Sequence, residues 1–240
     1  MKKMIIASTS TIYGSDYLDY ILPELSKFFE DVKEVLFIPY ASPSGISYDD
    51  YTKNAKEAFS KIGIQVNGIQ EFENPVEAVE NAKAIFTGGG NTFVLVNILY
   101  KNKLISAIKD AVENGVLYFG TSAGSNICGV NMKTTNDMPI VYPPNFKTLG
   151  LIPFNINPHY LDPDLNSKHK GETRETRIKE FHTYNDIPVI GLREGSWLLV
   201  HNEKITLKGV LNARFFQKEK SAKEIIPETD FNQLSNLTSI

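Results

Sequence analysis

This chain of 240 residues is short of several things, and each shortage excludes a class of protein. Its one cysteine, Cys128, has no partner for an internal disulfide, which fits a reducing compartment and leads to the expectation of a cytoplasmic protein. Long apolar runs are missing: the N-terminal MKKMIIASTS holds four apolar residues in a row, too few for a secretory signal or a membrane span. The tripeptide NLT at Asn236 matches a glycosylation acceptor and, without such a signal, is read as chance. An excess of one charge is missing too, with 25 basic against 28 acidic residues and a net charge of -3. No basic stripe is there to hold nucleic acid. Neither H-E-x-x-H nor a cysteine pair occurs, and the cluster His159, Asp162 and Asp164 sits on a proline-interrupted loop, so neither metal nor cofactor is expected. Internal repeats and low-complexity linkers are absent, so residues 1–240 are read as one domain, of open oligomeric state. With 42% hydrophobic and 22% charged residues, the composition is that of a soluble globular protein large enough for a well-buried core.

What is present is order. Through the first half, short apolar runs alternate with amphipathic stretches. KMIIAS reads as a buried strand. Leu18, Ile21, Leu22, Leu25, Phe28 and Phe29 then fall at helical spacing over residues 16–32, with Pro23 requiring the helix to start late or kink. EVLFIPYA is the next strand, DDYTKNAKEAFSKIG a helix closed by Gly63, and IQVNGI a further strand. NPVEAVENA is a helix with Asn74 as its cap and Pro75 at its first position. KAIFTGGG runs from strand into glycines, residues 91–115 form one long helix or two short ones, and VLYFGTS is a strand ending at Ser122. This alternation predicts an α/β fold, a mostly parallel sheet with helices on both faces.

The second half reads differently. Residues 131–170, rich in Pro, Asn and Asp, are expected to be long loops over the site, and GETRETRIKEFHTY a charged helix. Residues 187–216 read as short strands with turns at EGS, NEK and KG, which predicts antiparallel hairpin strands at a sheet edge toward the C-terminus. Residues 227–240 read as a peripheral or frayed tail.

Parallel sheets carry their sites at the carboxyl ends of strands, and two glycine-rich loops, TGGGNT and GTSAGS, fall at such ends. The second contains Gly120-Thr121-Ser122-Ala123-Gly124, the G-x-S-x-G pattern that exposes a serine oxygen on a sharp strand-to-helix turn. The same residues would also serve as a plain turn with Ser122 capping the next helix. TGGGNT is neither a P-loop nor G-x-G-x-x-G, since Phe93 takes the third glycine position; a phosphate site at a helix start and a purely structural turn are its other readings. A serine hydroxyl needs a base to become a nucleophile. Of the four histidines, His169, His182 and His201 read as surface residues, whereas His159 follows a short apolar strand between Pro158 and Tyr160, a rigid setting suited to a base. Asp137 and Glu194, each beside Gly or Pro at an apparent strand end, are the acids weighed for orienting it, and each reads as readily as an ordinary loop carboxylate.

The segments GGGNTF, GTSAGSN, TTNDMPI, NPHY, HKGETR and GLREGSW occur in the order found in the aspartyl dipeptidases, and the chain resembles that peptidase E family from IIASTS to the EGSW turn. The resemblance implies a serine dipeptidase that hydrolyses dipeptides with an N-terminal aspartate through a Ser-His-Glu triad and an acyl-enzyme. It places the nucleophile at Ser122, the histidine at His159 and the glutamate at Glu194, with Asp137 as a further active-site residue. Arg174 would hold the aspartate side chain of the substrate. Spacing alone reads GETRETRIKE as Glu–Arg pairs along a helix. The oxyanion donors expected are the N–H of Ala123 and that of Gly89 or Gly90. The partner implied is a small-molecule Asp-X substrate. A cyanophycinase-like β-aspartyl peptidase and a non-catalytic protein that binds acidic dipeptides are the alternatives.

Overall fold

The computed structural model describes residues 1–164, 166, 168 and 171–231. Up to residue 81 the alternation resolves into β1 (Lys3–Ala7), α1 (Leu22–Phe28), β2 (Glu34–Ile38), α2 (Tyr48–Ser60), β3 (Gln65–Gly68) and α3 (Pro75–Asn81). It continues through β4 (Ala84–Thr87), α4 (Thr92–Lys101), α5 (Leu104–Glu113), β5 (Leu117–Thr121) and the short α6 (Ala123–Asn126). Local chemistry sets the boundaries. Pro23 lies in the first turn of α1, where its missing N–H has no helical acceptor to lose, so the helix starts late rather than kinking. Asn74 caps α3 by accepting from the Val76 and Glu77 N–H groups. The stretch 91–115 divides into two helices because Lys103 takes a left-handed conformation (φ 57°) between them.

The second half adds β6 (Asn155–Pro158), α7 (Arg174–Tyr184), β7 (Val189–Leu192), β8 (Ser196–His201), β9 (Lys204–Gly209), β10 (Ala213–Phe216) and β11 (Lys223–Ile225). A seven-stranded sheet runs β3-β2-β4-β5-β1-β8-β9, parallel from β3 to β1 and antiparallel across β8 and β9. Side chains alternate along a strand, so β1 sends Met4 and Ile6 to one face and Ile5 and Ala7 to the other. The first face packs on Val79 of α3, Leu95 of α4 and Ile108 of α5; the second on Leu25 of α1 and Phe59 of α2. Both faces are covered, as a parallel sheet requires. The second face is stitched by aromatic contacts, with Phe86 stacked on Phe119 at 4.6 Å and tilted against Phe37 at 4.8 Å. No helix of the described residues is long and apolar enough to cross a membrane.

Three expectations are corrected. The EGS turn does not close a hairpin: β7 belongs to a second sheet, β11-β10-β7-β6, while β8 joins the first, so the turn passes the chain between sheets. The NEK turn does join neighbouring antiparallel strands, β8 and β9, at the edge of the first sheet, and β10 and β11 form a second such pair at the edge of the other. Residues 131–170 are not loop throughout, because β6 lies within them as a parallel partner of β7. The tail is docked as far as it is described: Asp230 bridges to Thr206, and Phe231 is fully buried 5.7 Å from the Phe154 ring. Residues 232–240, including Asn236, lie outside the described residues.

Candidate active site

β5 delivers Ser122, and the glycines on either side decide how. A methyl added at Gly120 would sit 2.5 Å from the Gly124 carbonyl oxygen, and one added at Gly124 would run into the Thr87 carbonyl at the end of β4. Neither position has room for a side chain, and the chain turns from strand to helix within one residue. Ser122 is that residue, at φ 51° and ψ -108°. Such a conformation costs about 1–3 kcal/mol and persists only where its surroundings over-determine it. Here they do. The Ser122 N–H donates to Ala7 O (3.2 Å), and Ser125 Oγ lies 2.6 Å from the same oxygen and 2.8 Å from Gly120 O. Gly89 borders the serine so closely that a methyl on it would lie 3.0 Å from Ser122 Cβ and 3.6 Å from Oγ. Ala123 opens α6, so its N–H is one of those a helix start leaves without an intrahelical acceptor.

The second sheet brings the other two groups. In the parallel β6–β7 pair Pro158 stands opposite Leu192, so residues 159 and 194 leave adjacent strand ends. His159 has φ 52°, and its ring reaches Ser122 Oγ through Nε2 (2.8 Å) and Glu194 Oε1 through Nδ1 (2.6 Å). An ionised Glu194 accepts from Nδ1–H, which leaves Nε2 free to accept the hydroxyl proton of Ser122. The His159 and Glu194 side chains are 35% and 48% exposed, so their contact fixes geometry more than it adds stability.

One residue that sequence reasoning missed fixes this pair from behind, and a second stands near its carboxylate. Ser8, buried at the end of β1, accepts from the His159 N–H (2.9 Å) and donates to Leu192 O (2.6 Å), so one hydroxyl ties together the main chains that carry His159 and Glu194. The Tyr20 hydroxyl donates to Thr9 O (2.7 Å); burial first, then the charge of Glu194, push its pKa well up, so it stays neutral beside that carboxylate. The signal for Ser8 was available: it too closes a parallel strand at its carboxyl end.

Asp137 is not at a strand end, as expected, but in the irregular segment between α6 and β6. Its Oδ2 accepts from the Thr92 N–H at the start of α4 (2.7 Å) and from Thr135 Oγ1 (2.8 Å), a favourable place for a negative charge. Asn91, the cap of α4, donates to Met138 O (2.9 Å), so the TTNDM segment is bonded directly onto the TGGGNT loop. Arg174 opens α7, behind Thr173 as its cap, and lines a small cleft of about 50 Å³ with Thr135, Asn136, Asn157 and Arg177. Its pKa is lowered by burial and then by Arg177, with Asp137 opposing. Asn136 joins this cleft to the histidine, donating to Pro158 O (2.6 Å) and accepting from Asn157 Nδ2 (2.7 Å). Ser122, His159 and Glu194 are thus bonded in series, Gly89 and Ala123 flank the serine, Asp137 is held at the start of α4, and Arg174 lines a small cleft that Asn136 ties to the strand end before His159.

The other histidines stand apart. His182, expected at the surface, is buried with Nε2 3.0 Å from Ile187 O, and burial holds its pKa below the ordinary range. His201 is exposed, with Nε2 3.0 Å from Met1 Sδ. His169 lies outside the described residues. A cleft of about 700 Å³ includes Lys33, Glu34, Lys83 and Ala84, at the amino ends of β2 and β4, away from the serine. Size is a poor guide here, because that cleft holds no nucleophile beside a base.

The sequence matches the profile of peptidase family S51 over residues 4–208. It is 44% identical over 231 residues to the peptidase E of Streptomyces coelicolor, an alignment covering 96% of this chain and 94% of that one. It is 43% identical over 236 residues to a Drosophila melanogaster protein named "Probable alpha-aspartyl dipeptidase", with 97% of each chain covered. Its fold is similar to the crystal structure of a peptidase from an acI-B1 actinobacterium, with a TM-score of 0.69, 15% identity and 96% of both chains covered. It is also similar to that of a Listeria monocytogenes protein, with a TM-score of 0.66, 22% identity, and 87% of this chain and 98% of the other covered.

Proposed function

The chain belongs to peptidase family S51 and is a peptidase, and on that premise we propose that it is a serine dipeptidase, acting within one domain of residues 1–240 on dipeptides with an N-terminal aspartate. The observation that carries this reading is the relay from Ser122 Oγ to His159 (2.8 Å) and from His159 to Glu194 (2.6 Å). The name of the Drosophila melanogaster relative supports the substrate class.

Ser122 Oγ attacks the carbonyl carbon of the aspartyl residue while His159 Nε2 takes the hydroxyl proton. Glu194 holds the imidazole tautomer and stabilises the imidazolium. The negative oxygen of the tetrahedral intermediate is met by the Ala123 N–H and by that of Gly89 or Gly90; losing one such donor costs about 3–4 kcal/mol of transition-state stabilisation. His159 then gives its proton to the leaving amine, the C–N bond breaks, and an aspartyl ester remains on Ser122. Water, deprotonated by the same histidine, hydrolyses the ester and restores the serine.

Arg174 accounts for the selectivity by donating to the aspartate side chain through its planar fork. A fully buried guanidinium left without its carboxylate would cost roughly 3–5 kcal/mol. Arg174 is partly exposed, which lowers the cost to about 1.5–3 kcal/mol, or ten- to a hundredfold in kcat/KM. Both bonds of Asp137 use Oδ2, which leaves Oδ1 for the substrate ammonium group. The free, buried thiol of Cys128 supports a reducing, cytoplasmic setting. Amine release from Asp-Leu, Asn-Leu and Leu-Leu, by the wild type and by Ser122→Ala, tests the reading. Cleavage confined to Asp-Leu and lost in the variant is expected. Cleavage that survives Ser122→Ala removes the nucleophile, and equal cleavage of all three removes the acidic pocket.

A further inference from the structure

The base and the specificity arginine stand on different elements, and a continuous chain of ion pairs joins residues that neighbour them in sequence. Arg193 immediately precedes Glu194, and its side chain is only 15% exposed. Its Nε and Nη2 donate to the two oxygens of Asp162 (2.8 and 2.7 Å), three residues beyond His159. Its Nη1 and Nη2 donate to the two oxygens of Glu224 (2.9 and 3.0 Å), and Nη1 also to Asn212 O (2.7 Å). The guanidinium lies 5.5 Å from the centre of the ring of Tyr160, the residue after His159. That ring is pressed onto β7, where a methyl on Gly191 would approach it to 2.5 Å. Glu224 then accepts from Arg214 Nη1 (3.0 Å), and Arg214 Nη2 donates to Glu175 (3.1 Å), the neighbour of Arg174 in the first turn of α7.

Single exposed ion pairs contribute little. This chain of pairs differs in being forked at Arg193, with both carboxylates held bidentately. The bonds favour the charged forms of Arg193 and Glu224: the two carboxylates raise the Arg193 pKa, Asp162 first, and Arg193 is the first cause holding Glu224 below the ordinary carboxylate range. The Tyr160 hydroxyl is pushed up to about 12, by burial first and then by Glu175 and Asp162, with Arg214 and Arg193 opposing.

We propose that Arg193, Glu224 and Arg214 are positioning residues that set the His159–Glu194 pair and Arg174 in one frame, so that the attacked carbonyl and the acidic side chain are presented in register. The proposal rests on the dipeptidase reading for its substrate, though not for its geometry. Arg193→Met is expected to lower kcat for Asp-Leu by roughly 10- to 100-fold, the loss that follows a misplacement near 1 Å. It is expected to slow labelling of Ser122 by a small phosphonofluoridate in parallel. Glu175→Gln, at the far end, is expected to raise KM by roughly 3- to 10-fold with labelling unchanged. Arg193→Lys recovers only part of the loss, because a point charge cannot hold two carboxylates in a fork. Should Arg193→Met not fold, Asp162→Asn and Glu224→Gln break the same bonds at more exposed positions. Variants with lower melting temperatures and unchanged kcat, KM and labelling rates would overturn the proposal. If the wild type leaves Asp-Leu intact, the substrate reading fails alone: slower labelling of Ser122 in Arg193→Met still supports the frame, and an equal rate overturns it.

Discussion

The two sheets hold their share of the site by different physics. Ser122, the proposed nucleophile, stands at the end of β5, in the middle of the large sheet, and is set by steric exclusion: Gly120 and Gly124 have no room for a side chain, and the flanking strands are buried on both faces. His159 and Glu194, the proposed base and acid, stand at the ends of β6 and β7 in the small sheet, partly exposed, and are held by the Ser8 hydroxyl and, as proposed above, by the Arg193 fork. Apolar packing and sterics are indifferent to pH and salt, whereas carboxylates and guanidinium groups near solvent are not. The difference teaches where the protein is adjustable: the serine is fixed by the core, and the histidine by polar contacts that a single proton or substitution can alter.

Breaking the polar half at its centre has the largest expected effect. Glu194→Gln keeps the size of the side chain and removes the charge that stabilises the imidazolium, so kcat should fall about a thousandfold with KM little changed. Steady-state kinetics on Asp-Leu check this, and unchanged activity would remove Glu194 from the relay. Gly124→Ala attacks the other half by sterics alone. It should lower the melting temperature by roughly 5–10 °C and cost activity about a hundredfold, because the elbow can relieve the clash with Thr87 only by moving Ser122. Calorimetry and kinetics together read both effects.

Ser8→Ala leaves the half-buried His159 N–H without its acceptor, while the Leu192 carbonyl keeps the Tyr160 N–H (3.1 Å), a cost of about 1 kcal/mol. A kcat roughly tenfold lower is expected, with Ser8→Thr retaining more activity than Ser8→Ala. The smallest effect is on stability in acid. Burial holds His182 below its ordinary value of 6.5, so the folded state prefers it neutral and stability falls as pH drops below about that value. Glu224 and Glu175 are held below their ordinary value of 4.5, chiefly by Arg193 and Lys179. Their contribution is complete above that value and is lost as pH falls through the folded-state pKa. Urea midpoints should therefore decline in two stages, by about 1 kcal/mol or less per pair in the second, and Arg193→Met should flatten the second stage only.

The sequence made much of this legible, and unevenly. Strands and helices of the first half follow from apolar periodicity and caps such as Asn74, because a parallel sheet buried on both faces writes each strand as an apolar run. The serine and its glycines could be read from spacing alone. The histidine could be singled out by its rigid setting, whereas choosing Glu194 over Asp137 came from the family resemblance. Periodicity could not show that the EGS turn passes between sheets, since the residues of β7 and β8 alternate alike whichever partner they take. The strand end marked Ser8 as a position to weigh, but its bridging role and the Arg193 fork could not be read, because they are defined by contacts some 150 or 30 residues away in the chain. Asp137 was found and misplaced: its residue type marked it, while its position at the start of α4 depends on how an irregular segment docks.

The most direct test of the central claim is mass spectrometry of the enzyme quenched during turnover of an aspartyl p-nitroanilide. An aspartyl ester on the peptide containing Ser122, in the wild type and not in Ser122→Ala, is the result expected. Steady release of nitroaniline with no adduct on Ser122, or with an adduct on another residue, would contradict the account.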